Sequence, residues 1–331
     1  MINLKYKNNK WDFWIDRGGT FTDIVAIDPN GVFHTKKILS HNPSFYKDSI
    51  IEGIRQFLKI KKNKRICSNL ISEVRIGTTV ATNTLLTKTG DKTCLFITKG
   101  FKDSLKIGDQ SRLDIFARRI IPHKTLYDNV YEITERLSNT GKVLVKIDIK
   151  NAKILMKKAL NKGYKSIAIV LIHAWKHPKH EKILKKIAIE LGFRNVCISY
   201  DTAPLIGLNS RGDTTVVDAY LTPKLNRYTK NISLNIKNTK IFYIKSNGGL
   251  TSSKNFSGKD AVLSGPAGGV IAAVETNKLY KNYEGIIGLD MGGTSTDVFH
   301  YKDHYERSHE NTIAGNKIKV PMLNINTIAA G

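Results

Sequence analysis

The sequence predicts an α/β protein of two similar lobes that face a shared cleft, and three observations carry this. The segment Asp16-Arg-Gly-Gly-Thr-Phe-Thr-Asp23 recurs as Asp290-Met-Gly-Gly-Thr-Ser-Thr-Asp297, identical at six of eight positions. Each copy lies between short apolar runs, residues 13–15 and 24–27 for the first and residues 286–289 and 298–299 for the second. Between the copies, strand-like runs alternate with helical periodicities, the pattern of a sheet covered by helices.

Strand, tight turn, strand is the reading of each copy. Adjacent glycines admit positive φ and let backbone N–H groups approach a ligand with no Cβ between. Successive N–H groups, with threonine hydroxyls beside them, form an anion-binding concavity. A carboxylate at the end of the leading strand can hold hydrated Mg2+ against phosphates. Two unrelated hairpins would give no reason for the repetition, whereas two lobes closing on one polyphosphate would.

The elements between follow in order. Pro29-Asn30-Gly31 is a turn, and residues 32–39 read as a third strand. Asn42-Pro43 opens a helix with Tyr46, Ile50, Ile51, Ile54, Phe57 and Leu58 on one stripe. A strand at 73–76 runs into Gly77-Thr-Thr-Val-Ala-Thr-Asn83 and a helix ending at Gly90. The start of that helix either binds an anionic or polar ligand or is capped by Thr78 or Thr79. Residues 91–98 form a strand, followed by a short helix. Residues 110–141, with Arg112, Arg118, Arg119 and Arg136, read as an irregular lobe-capping segment. A helix around Ala152 to Ala159, a strand at 167–172, a helix at 183–191 and a strand at 196–199 complete an α/β unit.

Arg211-Gly-Asp213 enters a helix that runs through Leu221 and stops before Pro223. A strand at 241–244 delivers Ser246-Asn247-Gly248-Gly249 to the sheet edge where ligands sit in open α/β folds. Ser264-Gly-Pro-Ala-Gly-Gly269 precedes an apolar helix at 270–274. Its glycines let the helix end approach a nucleotide or let the helix pack tightly on the sheet.

Composition narrows the function. With 331 residues, 41% hydrophobic and 24% charged, the chain can hold two cored domains. No apolar run approaches the ~20 residues of a membrane helix, so no membrane association is expected. Residues 1–10 contain no apolar stretch of the kind a secretory signal has. Cys67, Cys94 and Cys197 are odd in number with no Cys-x-x-Cys pair, which argues for reduced thiols and a cytoplasmic protein. The net charge of +25 comes from lysines spread over the whole chain, so no nucleic-acid partner is expected. His173, His177 and His180 beside Glu181 are interrupted by Pro178, and read as a helix cap rather than a metal site. His300, His304 and His309 read as solvated strand positions.

Taken together, Ile15-Asp-Arg-Gly-Gly-Thr-Phe-Thr-Asp23, Ile76-Gly-Thr-Thr-Val-Ala-Thr-Asn83, Ser246-Asn-Gly-Gly249, Leu263-Ser-Gly-Pro-Ala-Gly-Gly269 and Leu289-Asp-Met-Gly-Gly-Thr-Ser-Thr-Asp297 resemble, in that order, the hydantoinase A / 5-oxoprolinase family. Asn324-Ile-Asn-Thr-Ile-Ala-Ala-Gly331 also matches. Arg17 after Asp16, Arg112-Leu-Asp-Ile-Phe116 and Asp218-Ala-Tyr-Leu-Thr-Pro223 look most like the ATP-dependent 5-oxoprolinase branch.

The resemblance implies an actin/sugar-kinase-like ATPase fold (ribonuclease H-like), two-lobed and C-terminally truncated. Residues 1–200 would be the N-terminal region, the first lobe with an α/β insertion, and residues 201–331 the beginning of the ATPase lobe. It also implies ATP-dependent opening of a cyclic amide, with 5-oxo-L-proline going to L-glutamate through a phosphorylated lactam. The alternatives are a hydantoinase subunit acting on a cyclic ureide and a catalytically incomplete nucleotide-binding remnant.

By the same resemblance Asp16 and Asp290 would orient Mg2+, with Thr20 and Thr294 beside the reacting phosphoryl group. Arg17, Gly18, Gly19, Thr22, Asp23, Gly265, Gly268, Gly269, Gly292, Gly293, Ser295, Thr296 and Asp297 would hold ATP. Thr78, Thr79, Asn83, Asn247, Gly248 and Gly249 would contact substrate. A second subunit or C-terminal region of the oxoprolinase/hydantoinase B type is the expected partner. Asn247 and Asn324 stand where the branch is expected to carry aspartate.

Overall fold

The structure, a computed structural model, describes residues 9–62, 64–109, 116, 124–280, 283–292 and 296–328. The first lobe opens as a meander of β1 (Trp11–Arg17), β2 (Phe21–Ile27) and β3 (Phe33–Leu39). Strand periodicity puts Phe13 and Ile15 into the core beside Ile24 and Ala26. Helix α1 (Ser49–Phe57) begins where Asp48 accepts from the Ile50 and Ile51 amides at 3.0 and 3.1 Å. The helix expected from Asn42-Pro43 therefore starts later, because Asn42 and Tyr46 are held in a β-bridge. Strand β4 (Ile71–Thr78) follows parallel to β1, and α2 (Val80–Leu86) leaves from its end.

An α/β unit comes next: β5 (Thr93–Thr98), α3 (Ser104–Ile107), β6 (Asn129–Ile133), β7 (Arg136–Leu137), β8 (Val143–Val145), α4 (Ile149–Asn161), β9 (Ser166–Val170), α5 (Lys179–Glu190), β10 (Asn195–Ile198) and α6 (Ser199–Thr202). Its sheet has the order β10-β9-β5-β6, all parallel. Strand β6 corrects the expectation of an irregular 110–141 segment. Tyr131 and Ile133 alternate inward, and the Tyr131 ring stacks on Phe96 at 5.0 Å. The residues around Arg112, Arg118 and Arg119 lie outside the described residues.

Helix α7 (Leu208–Asn235) runs straight through Pro223, which was expected to end it. Proline at 223 leaves the Ala219 carbonyl without its helical donor. Ser166 Oγ donates to that carbonyl at 2.6 Å and Asn195 Nδ2 at 3.4 Å, so the break is healed by the neighbouring strands. The start of α7 is fixed by Arg211, whose buried guanidinium donates to Ser199 Oγ, Leu205 O and Leu171 O. Glu181 closes the network by accepting from Ser199 Oγ and the Leu171 and Tyr200 amides. Burial raises its pKa to about 7 against those hydrogen bonds.

Strand β11 (Lys240–Ile244) adds to β4 in parallel and β12 (Leu250–Ser252) folds back on it, giving the sheet β12-β11-β4-β1-β2-β3. Helix α8 (Ser264–Tyr280) then crosses to the second lobe. It takes in the whole glycine run that was expected to precede it, since the Ala267 amide already donates to Leu263 O. The chain beyond α8 gives β13 (Gly285–Met291), β14 (Thr296–Lys302), β15 (His304–Tyr305), β16 (Arg307–Ser308), β17 (Asn311–Ile313), β18 (Asn316–Ile318), β19 (Met322–Leu323) and β20 (Ile325–Ile328). Of these, β18 and β19 send Ile318 and Met322 into the core of the first lobe, while β13, β14 and β20 build the second lobe. Its ladder β13-β14-β20 is antiparallel throughout and repeats the β1-β2-β3 meander. Among the described residues no helix is long and apolar enough to cross a membrane.

Candidate active site

The two glycine hairpins share one register. In the first, Asp16 pairs with Asp23 and Arg17 with Thr22; in the second, Asp290 pairs with Asp297 and Met291 with Thr296. Asp16 stands at the ends of β1 and β4, opposite Gly77. A Cβ on Gly77 would come within 3.2 Å of Asp16 Oδ1, and one on Gly265 within 3.3 Å. These two glycines leave space for the carboxylate. Ser264 fixes that arrangement, accepting from the Thr78 amide at 3.2 Å and donating to Ile244 O at 2.5 Å.

Protein surrounds Asp16 on most sides although one face meets solvent. Desolvation, and then the carboxylates of Asp23, Asp290 and Asp297, raise its pKa to about 6, while Lys37 opposes. Asp297 is raised as well, by desolvation first and by Asp290 last, although Thr327 Oγ1 donates to it at 2.6 Å. The second lobe thus lies close enough for its aspartates to act on Asp16. Asp23 is ion-paired with Lys37 at 2.8 Å.

Other expected contacts are placed differently. Thr22 is fully buried, its hydroxyl bonded to those of Ser40 at 2.9 Å and Ser49 at 2.8 Å, which ties the turn to α1 rather than to a ligand. Thr296 is buried at the matching position. Thr78 is buried too, and its hydroxyl accepts from the Val80 amide. Gly268 lets α8 approach Ile244, where a Cβ would come within 3.2 Å, and Gly269 faces open space. Asn247 accepts from the Gly249 amide, and Gly248 (φ +83°) packs against Ile271 and Leu323. The 246–249 turn thus buttresses α8 and β19. Thr20 and Gly292 are exposed at the turns, whereas Gly293, Thr294 and Ser295 lie outside the described residues.

Thr79 and Asn83 open instead onto a cavity of about 300 Å3 under the first turn. Arg17, Gly18, Gly19, Ser40, His41, Val80, Thr84, Thr87, Lys224 and Tyr228 complete its wall. Asn83 Nδ2 donates to Thr79 Oγ1, and Thr79 Oγ1 donates to Arg17 O, both at 3.2 Å. The Arg17 guanidinium lies over the Tyr228 ring, 5.1 Å from its centroid. Ser40, His41, Lys224 and Tyr228 were missed in the sequence. Lys224 and Tyr228 share a helix face by their i, i+4 spacing, but the stop expected at Pro223 hid that face.

Among the described residues, no three acidic, histidine or cysteine side chains converge as metal ligands. His180 is bonded to Glu135 at 2.6 Å inside the α/β unit, and His300 to Glu306 at 2.7 Å on the second lobe.

Comparison with known proteins places this geometry. The family model described as "Hydantoinase/oxoprolinase N-terminal region" matches residues 12–192, and that described as "Hydantoinase/oxoprolinase" matches residues 211–331. The 5-oxoprolinase 1 of Arabidopsis thaliana is 41% identical over 97% of this chain, and the 5-oxoprolinase of Saccharomyces cerevisiae is 39% identical over 96%. In each case this chain spans 28% of the relative's length. The crystal structure of ATP-dependent caprolactamase from Pseudomonas jessenii superposes with a TM-score of 0.79 at 28% identity, over 97% of this chain and 48% of that one. The two-lobed arrangement is the actin-like ATPase fold. On sequence, register and superposition alike, the chain belongs to the hydantoinase/oxoprolinase family.

Proposed function

We propose that the chain carries the phosphate- and lactam-handling part of an ATP-dependent cyclic-amide hydrolase, with 5-oxo-L-proline as its substrate. The observation that supports this most is the shared register of the two glycine hairpins, which sets Asp16 and Asp290 at matching strand ends. After desolvation and Asp23, Asp290 is among the charges that raise the Asp16 pKa. Carboxylates held close enough to raise a pKa are short of a cation. One or two carboxylates that leave most coordination positions to water and phosphate oxygens suit Mg2+, which is rarely caged by protein alone. Bound there, Mg2+ would neutralise phosphate charge.

In this reading Asp16 and Asp290 are the metal-facing carboxylates. The Gly19 and Thr20 amides of the first turn would face the polyphosphate, the Gly18 amide being already bonded to Phe21 O. Thr79 and Asn83 face the lactam from the cavity. A lactam is a poor electrophile, and transfer of a phosphoryl group to its oxygen makes the ring carbon open to water. The protein's task is then alignment and charge neutralisation. The product is L-glutamate, with ADP and phosphate. Opening the ring would draw on a second subunit or region, in keeping with the fraction of its relatives that this chain spans.

The test is phosphate release from Mg-ATP by the chain, alone and with a B-type partner, in the presence of 5-oxo-L-proline, hydantoin or caprolactam. Release that depends on 5-oxo-L-proline supports the reading. Release driven by hydantoin instead would move the assignment to a cyclic ureide, and ring-independent binding of Mg-ATP without turnover would contradict it.

A further inference from the structure

We propose that the cavity under the first glycine turn is the seat of the substrate's carboxylate, with Arg17 and Lys224 as the residues that select an anionic lactam over a neutral one. This rests on the lactam-hydrolase reading above and deepens it.

The wall of the cavity has a one-sided chemistry. Arg17, Lys224 and His41 line it together with hydroxyls and the Asn83 amide, and no aspartate or glutamate does. Among the described residues the buried Arg17 Nε–H meets no well-aligned acceptor, although the guanidinium acts on the Tyr228 hydroxyl. A buried donor left unmet is costly, so an acceptor is expected beside it. Lys224 Nζ donates to Thr89 Oγ1 at 2.7 Å, an uncharged partner. The nearby carboxylate, Asp91, is taken up by both arms of Arg227, at 2.9 and 2.5 Å. Two cations therefore line one small space whose described wall carries no carboxylate, with Asp91 and Asp48 acting on it only from behind the wall.

Strand geometry sets this basic space apart from the acidic cleft. Asp16 and Arg17 are successive residues of β1, so their side chains leave opposite faces of the sheet. Asp16 goes toward Gly265 and the second lobe, and Arg17 toward Tyr228 on α7. Only the Gly18-Gly19 backbone separates the two, and both glycines line the cavity. A ring whose carboxylate is held at Arg17 could thus present its amide oxygen at the turn where the phosphates are expected. At about 300 Å3 the space suits one small ring. Neutral lactams would leave both cations unmatched.

Titration calorimetry on the full chain tests this with 5-oxo-L-proline, 2-pyrrolidinone (the same ring without the carboxylate), inorganic phosphate and Mg-ATP. The wild type should bind 5-oxo-L-proline at least about tenfold tighter than 2-pyrrolidinone, from charge-assisted hydrogen bonds. Arg17→Gln and Lys224→Gln should each remove about tenfold of that preference, and Lys224→Gln should leave Mg-ATP affinity and the 2-pyrrolidinone isotherm unchanged. Lys224 is the safer of the two for folding because it is half-exposed. The proposal is overturned if neither variant changes the preference while phosphate release still depends on 5-oxo-L-proline. It is overturned as well if the variants lose affinity for phosphate or Mg-ATP instead, which would make the cavity a phosphate site. A wild type that binds neither ring contradicts the lactam reading itself, and this one with it.

Discussion

Asp16 is the residue on which the proposed chemistry turns, and its environment makes two opposed demands. Folding places it where ionisation is disfavoured, with a pKa of about 6 against an ordinary value of 3.8. A carboxylate raised on folding gives up its proton more readily in the unfolded chain, so its ionisation weakens the fold as pH rises toward 6. Solvent on its open face screens part of that effect. Metal-free protein should therefore melt higher at pH 4.5 than at pH 7 by this group's contribution, and Asp16→Asn should remove that part of the difference, leaving the parts from Glu181, Asp213 and Asp297. The matching expectation for binding is that the stabilisation given by Mg-ATP grows as pH rises through about 6, read as a shift in Tm. If Asp16→Asn left both the pH slope and the Mg-ATP shift intact, the carboxylate would have no part in the site. Gly265→Val should act on the same group by steric means, since its side chain would enter the space beside Asp16 Oδ1. It should weaken Mg-ATP binding with a small change in Tm. Asp16 and Asp290 were legible because the sequence states their motif twice. Thr22 and Thr78 were not, because a motif shows which hydroxyls are present but not which are already bonded inside the fold.

At the scale of elements, helix α7 ties the lobes' parts together and holds two lessons. Its passage through Pro223 depends on Ser166 and Asn195, residues far away in sequence that satisfy Ala219 O. No local pattern announces such a repair. Ser166→Ala should lower stability by about 1 kcal/mol, measured by urea unfolding. Its entry depends on Arg211, which is fully buried. Arg211→Met leaves Glu181 in the interior without its nearby cation, and should cost about 3–5 kcal/mol or prevent folding. An unchanged urea midpoint would show that the Ser199 and backbone contacts suffice. Elements with a clear period, such as α4 and α5 and strands β5 and β9, were read within a few residues. Strand β6 was hidden because only two of its residues, Tyr131 and Ile133, turn inward. Helix α8 was placed too late because its apolar run begins only at Val270; its glycines bring the helix close to β4 and β11, one of the two readings the sequence left open.

For the whole molecule, the repeat of register between β1-β2 and β13-β14 makes the cleft a property of the fold rather than of one loop. The two-lobed architecture was legible from the duplication alone. The basic cavity was not, since its wall is assembled from β1, the segment after β3, α2 and α7. On the second lobe Ile287, Leu289 and Met291 project from one face of β13 and are 79%, 67% and 68% exposed. Among the described residues β13 pairs only with β14, so it offers a free edge and an apolar face together. Replacing Ile287 and Leu289 with lysine should reduce self-association of the isolated chain in sedimentation velocity. No change would mean that this face is not sticky on its own.

The account stands on two hairpins serving one metal-bound polyphosphate, and a double-mutant cycle on Mg-ATP affinity reaches that directly. Asp16→Asn and Asp290→Asn should each remove the Mg2+ dependence of binding, and the double variant should be no weaker than either single one, as the proposal that they share one ion requires. Losses that simply add, or an Asp290→Asn protein that binds Mg-ATP as the wild type does, would contradict it.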